Sequence, residues 1–124
     1  MEDKKLHEHT HGAAHEDLKQ RLAQVQDFQI MAELFKHLGD PTRLRIFWLL
    51  CHREECVADI AELLDMSAPA VSHHLRPLRV AGLIESRRDG REVIYRATET
   101  IAAQTLHHMI EQVMHFACPD IPDL

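Results

Sequence analysis

The chain has 124 residues, 45% hydrophobic and 27% charged, with a formal net charge of −6 and eleven histidines. That is one domain's length, enough for a core but thin for a monomer with helices at both ends, so a dimer is expected. There is no leading apolar run and no stretch near the ~20 apolar residues of a membrane span, so a cytoplasmic protein with no membrane partner is expected. Three cysteines, Cys51, Cys56 and Cys118, are an odd set, which argues against a disulfide framework and for free thiols or metal thiolates.

Residues 1–16 hold His7, His9, His11 and His15 among charged and small residues, with Leu6 the one large apolar side chain after Met1. They read as a flexible arm whose imidazoles are candidate metal ligands. From about Asp17 to Leu38 the pattern is helical, with Phe28, Met31, Leu34, Phe35 and Leu38 recurring every three or four residues until Gly39. Asp40 then caps a second helix with Pro41 at its first position. Running to about His52, it is apolar on most sides through Leu44, Ile46, Phe47, Leu49 and Leu50, with Trp48 interleaved, and is expected at the centre of the domain. Cys51, at its end, reads first as a small core residue, with ligation by Cys51 or His52 the lesser expectation.

Asp59 to Gly82 reads as a helix-turn-helix. Ile60, Ala61, Leu63 and Leu64 form the inner face of a short helix, Asp65-Met66 a tight turn, and Ser67 the N-cap of a second helix with Pro69 in its first turn. Val71, Leu75 and Leu78 point inward at helical spacing, leaving Ser72, His73, Arg76 and Arg79 outward as candidate DNA-facing groups beside Ser67. Pro77 removes an N–H partner for the His73 carbonyl and is expected to kink the helix beyond the reading residues.

Two strand patterns, 83–88 and 91–97, flank Asp89-Gly90 and predict a β-hairpin wing. Arg87, Arg88 and Arg91 around its tip favour contact with phosphate or the minor groove. Between Ser67 and Ala97 six arginines stand against three carboxylates, a net of +3, which leaves −9 for the remainder. Basic charge concentrated on the reading surface is what phosphate contact requires, so double-stranded DNA is the expected partner. Thr98 or Thr100 caps a last helix in which Ala102, Leu106, Met109, Val113 and Phe116 step by three and four until Cys118-Pro119; packing against a second copy would cover that row.

The expected fold class is therefore mostly α with a β-hairpin wing: a winged helix-turn-helix dimerising through its terminal helices. Its parts are an arm (1–16), a DNA-binding and dimerisation domain (17–118) and a short tail (119–124). No phosphate-cradling glycine loop and no nucleophile, base and orienter spaced for catalysis are present, so neither an enzyme nor a small organic substrate is expected. On the last helix His108, Glu111 and His115 fall within roughly a 60° arc with Cys118 a turn beyond, a candidate metal site.

Asp40-Pro41-Thr42-Arg43-Leu44-Arg45-Ile46, followed by Ala70-Val71-Ser72-His73-His74-Leu75 and a wing with Gly90-Arg91-Glu92-Val93 and Tyr95, resembles the ArsR/SmtB family of winged-helix metal-sensing repressors over roughly residues 28–117. The resemblance implies a homodimer that represses a metal-efflux or sequestration gene as apo-protein and leaves its operator when a metal binds. Arsenite sensors of the family show Cys-Val-Cys where this chain has Cys56-Val57-Ala58, so a site of that kind is not expected. Zinc, cadmium and lead sensors use Cys-x2-Asp there, matched by Cys56 and Asp59, completed from the arm by His7 and His11. Such a donor set suits zinc best, with cadmium, lead, cobalt or nickel as alternatives. Aligned on Gly90-Arg91, the family's other site falls on Glu99, Ile101, Gln112 and His115, two of which lack ligand chemistry, leaving the displaced set His108, Glu111, His115 and Cys118. A repressor of the same fold switched by thiol oxidation at Cys51, Cys56 and Cys118 is the alternative.

Overall fold

The computed structural model describes residues 12–118, which divide into two compact units, one ending at Phe35 and the other starting at Lys36. In the first, the single helix expected from Asp17 is two: α1 (Ala13–Leu22) and α2 (Val25–His37). The Gln24 carbonyl accepts the Phe28 N–H at 3.3 Å and opens α2; nothing in the sequence at Ala23-Gln24 accounts for the break. Because α1 begins at Ala13, residues 13–16, expected in the arm, form its first turn. No residue of either helix is buried. His7, His9, His11 and residues 119–124 lie outside the described residues.

The second unit is built on α3 (Pro41–His52). Asp40 caps it, its Oδ1 accepting the Arg43 N–H at 2.9 Å, and Pro41 occupies the first turn where no N–H partner is needed. Ile46, Phe47 and Leu50 are buried. A two-residue strand, β1 (Glu55–Cys56), precedes α4 (Val57–Leu64) and α5 (Ala68–Val80), and β2 (Ile84–Asp89), β3 (Glu92–Ala97) and α6 (Ile101–Ala117) follow. The sheet is antiparallel in the order β1-β3-β2, with Cys56 opposite Ile94 and Ser86 opposite Tyr95. The hairpin was legible in the sequence; its third strand was not. The loop is Gly90-Arg91 rather than Asp89-Gly90, with positive φ at Gly90 alone, the pattern of a type II′ turn.

The helix-turn-helix forms over the expected residues. Val71, Leu75 and Leu78 of α5 are buried against α3 and α4, and Ile60, Ala61 and Leu64 of α4 face them. Leu63, expected on that inner face, is 54% exposed. α4 ends with Asp65 in the left-handed region (φ 54°), the Met66 N–H reaching the Ala61 carbonyl at 2.9 Å. α5 ends the same way at Gly82 (φ 77°), the Leu83 N–H reaching the Leu78 carbonyl at 3.0 Å. α5 continues three residues past Pro77, so the proline does not end the reading helix. Among the described residues no helix is long and apolar enough to cross a membrane.

A non-glycine residue in the left-handed region costs about 1 kcal/mol or more. Asp65→Gly is therefore expected to stabilise the chain by about that amount in urea melts, with the denaturant slope unchanged. The Asp40 carboxyl is held below the ordinary aspartate range, chiefly by the Arg43 N–H and less by the charge of His74. A lowered folded pKa contributes stability above the unfolded value, lost as pH falls through the folded one. Asparagine caps without titrating, so the melting-temperature advantage of the wild type over Asp40→Asn should shrink as pH falls through the ordinary aspartate range and below it.

Candidate DNA interface and a histidine–carboxylate cluster

The inner row of α5 is fixed by burial, which turns Ser72, His73, Arg76 and Arg79 to solvent, all four exposed. Ser67 sits at the helix start, where its Oγ accepts the Ala70 N–H at 3.2 Å, so one hydroxyl function is committed to capping. His74, next to His73, is half-buried and turned toward Asp40, its Nδ1 4.0 Å from the carboxylate.

The wing arginines are not equivalent. Arg87 Nη2 lies 2.8 Å from Glu54 Oε2, and Arg96 makes a 3.0 Å pair with Glu85 across the hairpin. The hydrogen bond from Arg87 holds the Glu54 carboxyl below its ordinary range, and that to Glu85 raises the Arg96 guanidinium further. Arg87, expected among the DNA contacts, thus has its charge already matched. Arg76, Arg79, Arg88 and Arg91 are exposed and make no ion pair among the described residues. They can present two basic patches, one on the reading helix and one at the wing tip, to successive stretches of a duplex backbone.

The metal candidates fare unevenly. Cys56 is buried at the junction of β1 and α4, and Asp59, one turn on, is exposed; their proposed arm partners lie outside the described residues. Of the set on α6, Glu111 contacts a pair of histidines outside that set. His52 Nε2, on the last residue of α3, and His107 Nε2 each lie 3.0 Å from Glu111 Oε1 and 3.3 Å from one another. The two rings are perpendicular, 4.9 Å apart, and the Trp48 ring lies 4.4 Å from that of His52, tilted by 49°. Partial burial pushes the Glu111 carboxyl up, but hydrogen bonds from His107 and His52 outweigh it and the net direction is down. Beside it, burial and the Glu111 charge push the Cys51 thiol up to about 12. Two of the three members stand in the sequence as the i,i+4 pair His107 and Glu111; the third stands 55 residues before His107, a pairing that only the fold creates.

An exposed polar row on the second helix of a helix-turn-helix, flanked by a basic hairpin, defines a winged-helix DNA-binding protein. The sequence pattern of the bacterial regulatory protein arsR family matches residues 40–86. The HTH-type transcriptional regulator KmtR of Mycobacterium tuberculosis is 38% identical over 93 residues, 75% of this chain and 71% of that protein. The cadmium resistance transcriptional regulatory protein CadC of Listeria innocua is 41% identical over 86 residues, 65% of this chain and 71% of CadC. The homodimeric winged helix-turn-helix DNA-binding domain of a Mycobacterium bovis protein superposes with a TM-score of 0.67 at 26% identity, over 82% of this chain and 93% of that one. This chain belongs to the ArsR family: it is a transcriptional regulator, not an enzyme.

Removing one phosphate-neutralising cation lowers the salt dependence of duplex binding by about one unit of slope. Arg88→Ala and Arg91→Ala are each expected to reduce the slope of log affinity against log salt by about one. Arg87→Ala should leave it nearly unchanged; equal slopes for all three variants would refute the division of the wing arginines.

Proposed function

We propose that this regulator represses transcription as a homodimer on operator DNA and is released when a divalent metal ion, zinc or cadmium foremost, binds to it. The observation that carries this reading is where the ligand-type side chains stand. His52 closes α3 and Cys56 opens α4, the two helices on which the reading helix α5 is packed. A metal held at either place acts on the support of the reading helix without touching DNA. Kinship with a regulator named for cadmium resistance supports the same class of inducer. The exposed row Met109, Val113 and Phe116 on α6 is apolar surface that a second copy would cover, and two copies would present two reading helices to successive major grooves.

In this reading Arg76, Arg79, Arg88 and Arg91 neutralise phosphates, while Ser72, His73 and Arg76 reach base edges. The metal acts only through a difference in its affinity for the two dimer shapes, with a coupling of ~1–3 kcal/mol. The thiol-switch alternative is weakened by Cys51, because a thiol pushed up to about 12 is protonated at neutral pH and a poor redox nucleophile.

The test starts from a duplex recovered by in vitro selection with the wild-type protein. Its affinity, followed by fluorescence anisotropy, is expected to fall ~5–150-fold on adding zinc or cadmium and to be unchanged by arsenite. Release by peroxide instead, abolished by a single Cys→Ser change and with no metal effective, would replace this function with the thiol switch.

A further inference from the structure

We propose that His52, His107 and Glu111 form a transition-metal site within one protomer, clamping the end of α3 to the middle of α6, and that this is the site through which metal controls DNA occupancy. The proposal rests on the metal-responsive reading above and names where the response originates. Two of the donors come from α6 and one from α3, so the site needs neither the N-terminal arm nor a second copy.

The geometry carries it. Three potential ligand atoms, two imidazole Nε2 and one carboxylate oxygen, lie within 4.8 Å of one another, with edges of 3.0, 3.0 and 3.3 Å. Ligands ~2.0–2.1 Å from a tetrahedral zinc stand ~3.3–3.4 Å apart, and ~2.9–3.0 Å apart around an octahedral ion at that distance. The observed edges span those spacings. The rings are perpendicular, with their Nε2 atoms 3.3 Å apart, an arrangement that two adjacent ligands of one ion can adopt.

A neutral imidazole nitrogen either donates or accepts, and an ionised carboxylate only accepts. With both Nε2 atoms protonated, both donate to Glu111 at 3.0 Å and the 3.3 Å nitrogen–nitrogen edge is a plain contact; a cation shared by the three lone pairs would use all three edges.

The donors also select the class of ion. Two imidazoles and one carboxylate, without thiolate, suit zinc first, with cobalt, nickel or ferrous iron beside it, take cadmium less readily than zinc, and disfavour arsenite and lead. The three side chains are about one-third exposed. His52 and His107 line a cleft of about 290 Å³ through which the ion and a completing water can enter.

Trp48 is the only tryptophan, and its ring lies 4.4 Å from that of His52, so the chain carries its own reporter. The experiment titrates the full-length protein with cobalt(II), reading visible absorption and Trp48 fluorescence, and with zinc against a fluorescent chelator. Wild type, His107→Gln, Glu111→Gln and Cys56→Ser are compared, together with zinc-induced release of the selected duplex. One ion per chain is expected, with quenching of Trp48. In His107→Gln and Glu111→Gln its affinity should fall by more than the ~10–100-fold typical of outer-shell substitutions. Zinc release should be lost with it, while duplex affinity without metal stays within about twofold, which shows that the variants fold. Cys56→Ser should bind and release as wild type does. If His107→Gln still releases DNA with zinc and Cys56→Ser does not, the site is wrong and the metal-responsive function stands. If cobalt binds and is lost in His107→Gln, yet no metal releases the wild-type protein, the site stands and the function falls.

Discussion

The burial of α3 is the constraint on which the rest of this structure depends. Ile46 and Phe47 are fully buried and Leu50 nearly so, and each such side chain contributes about 1.5–3 kcal/mol over the exposed state. The same helix packs against α5, β3 and α6, so the reading helix, the wing and the last helix are all located by one element. A helix held on several sides cannot slide for one neighbour alone, because close-packed interiors move as units. The outward row of α5 is thus set by the inward row Val71, Leu75 and Leu78 on α3 and α4. At the far end, whatever grips His52 grips the whole frame.

Much of this was legible because the signals are local. An Asp-Pro pair opens a helix wherever it is followed by an apolar period, and Ser67 with Pro69 does the same for α5. A Gly flanked by alternating residues makes a hairpin whatever surrounds it. What failed were features decided by partners. Ile60, Ala61, Leu63 and Leu64 span about 160° of a helix, wider than the ~100° stripe a single neighbour covers; packing chose Ile60, Ala61 and Leu64 and left Leu63 outside. A two-residue strand such as Glu55-Cys56 has no period to detect, and it exists because β3 offers a free edge beside it. The regularity of α6 sets His108, Glu111 and His115 along one helix, whereas the contact between Glu111 and His52 joins two elements and is made only by the fold.

Charge shows the same division between what composition reveals and what only the fold settles. A net −6 conceals a basic segment, which placing the arginines along the chain recovers. It does not reveal which are free to meet phosphate. Glu54 and Glu85 pair with Arg87 and Arg96. Exposed pairs of this sort add little stability, yet they divide the arginines by role: Arg87 and Arg96 are matched internally, and those on the reading helix and near the wing tip are left to an external anion.

The placement of the cluster sets a condition on how a metal could act. His52, His107 and Glu111 already face one another across the α3–α6 contact, so binding there would stabilise this relation of the two helices rather than create it. A ligand with equal affinity for two shapes shifts neither. Release from DNA therefore requires the operator-bound dimer to hold α6 at a different angle to α3, one that separates at least one of the three donors. α6 bears the apolar row that a second copy would cover, and α3 carries the reading helix, so in such a dimer this angle would also determine how far apart the two reading helices stand. By linkage the operator must then weaken metal binding by the same factor as metal weakens operator binding. DNA and metal would compete through one helix–helix contact without sharing a single ligand.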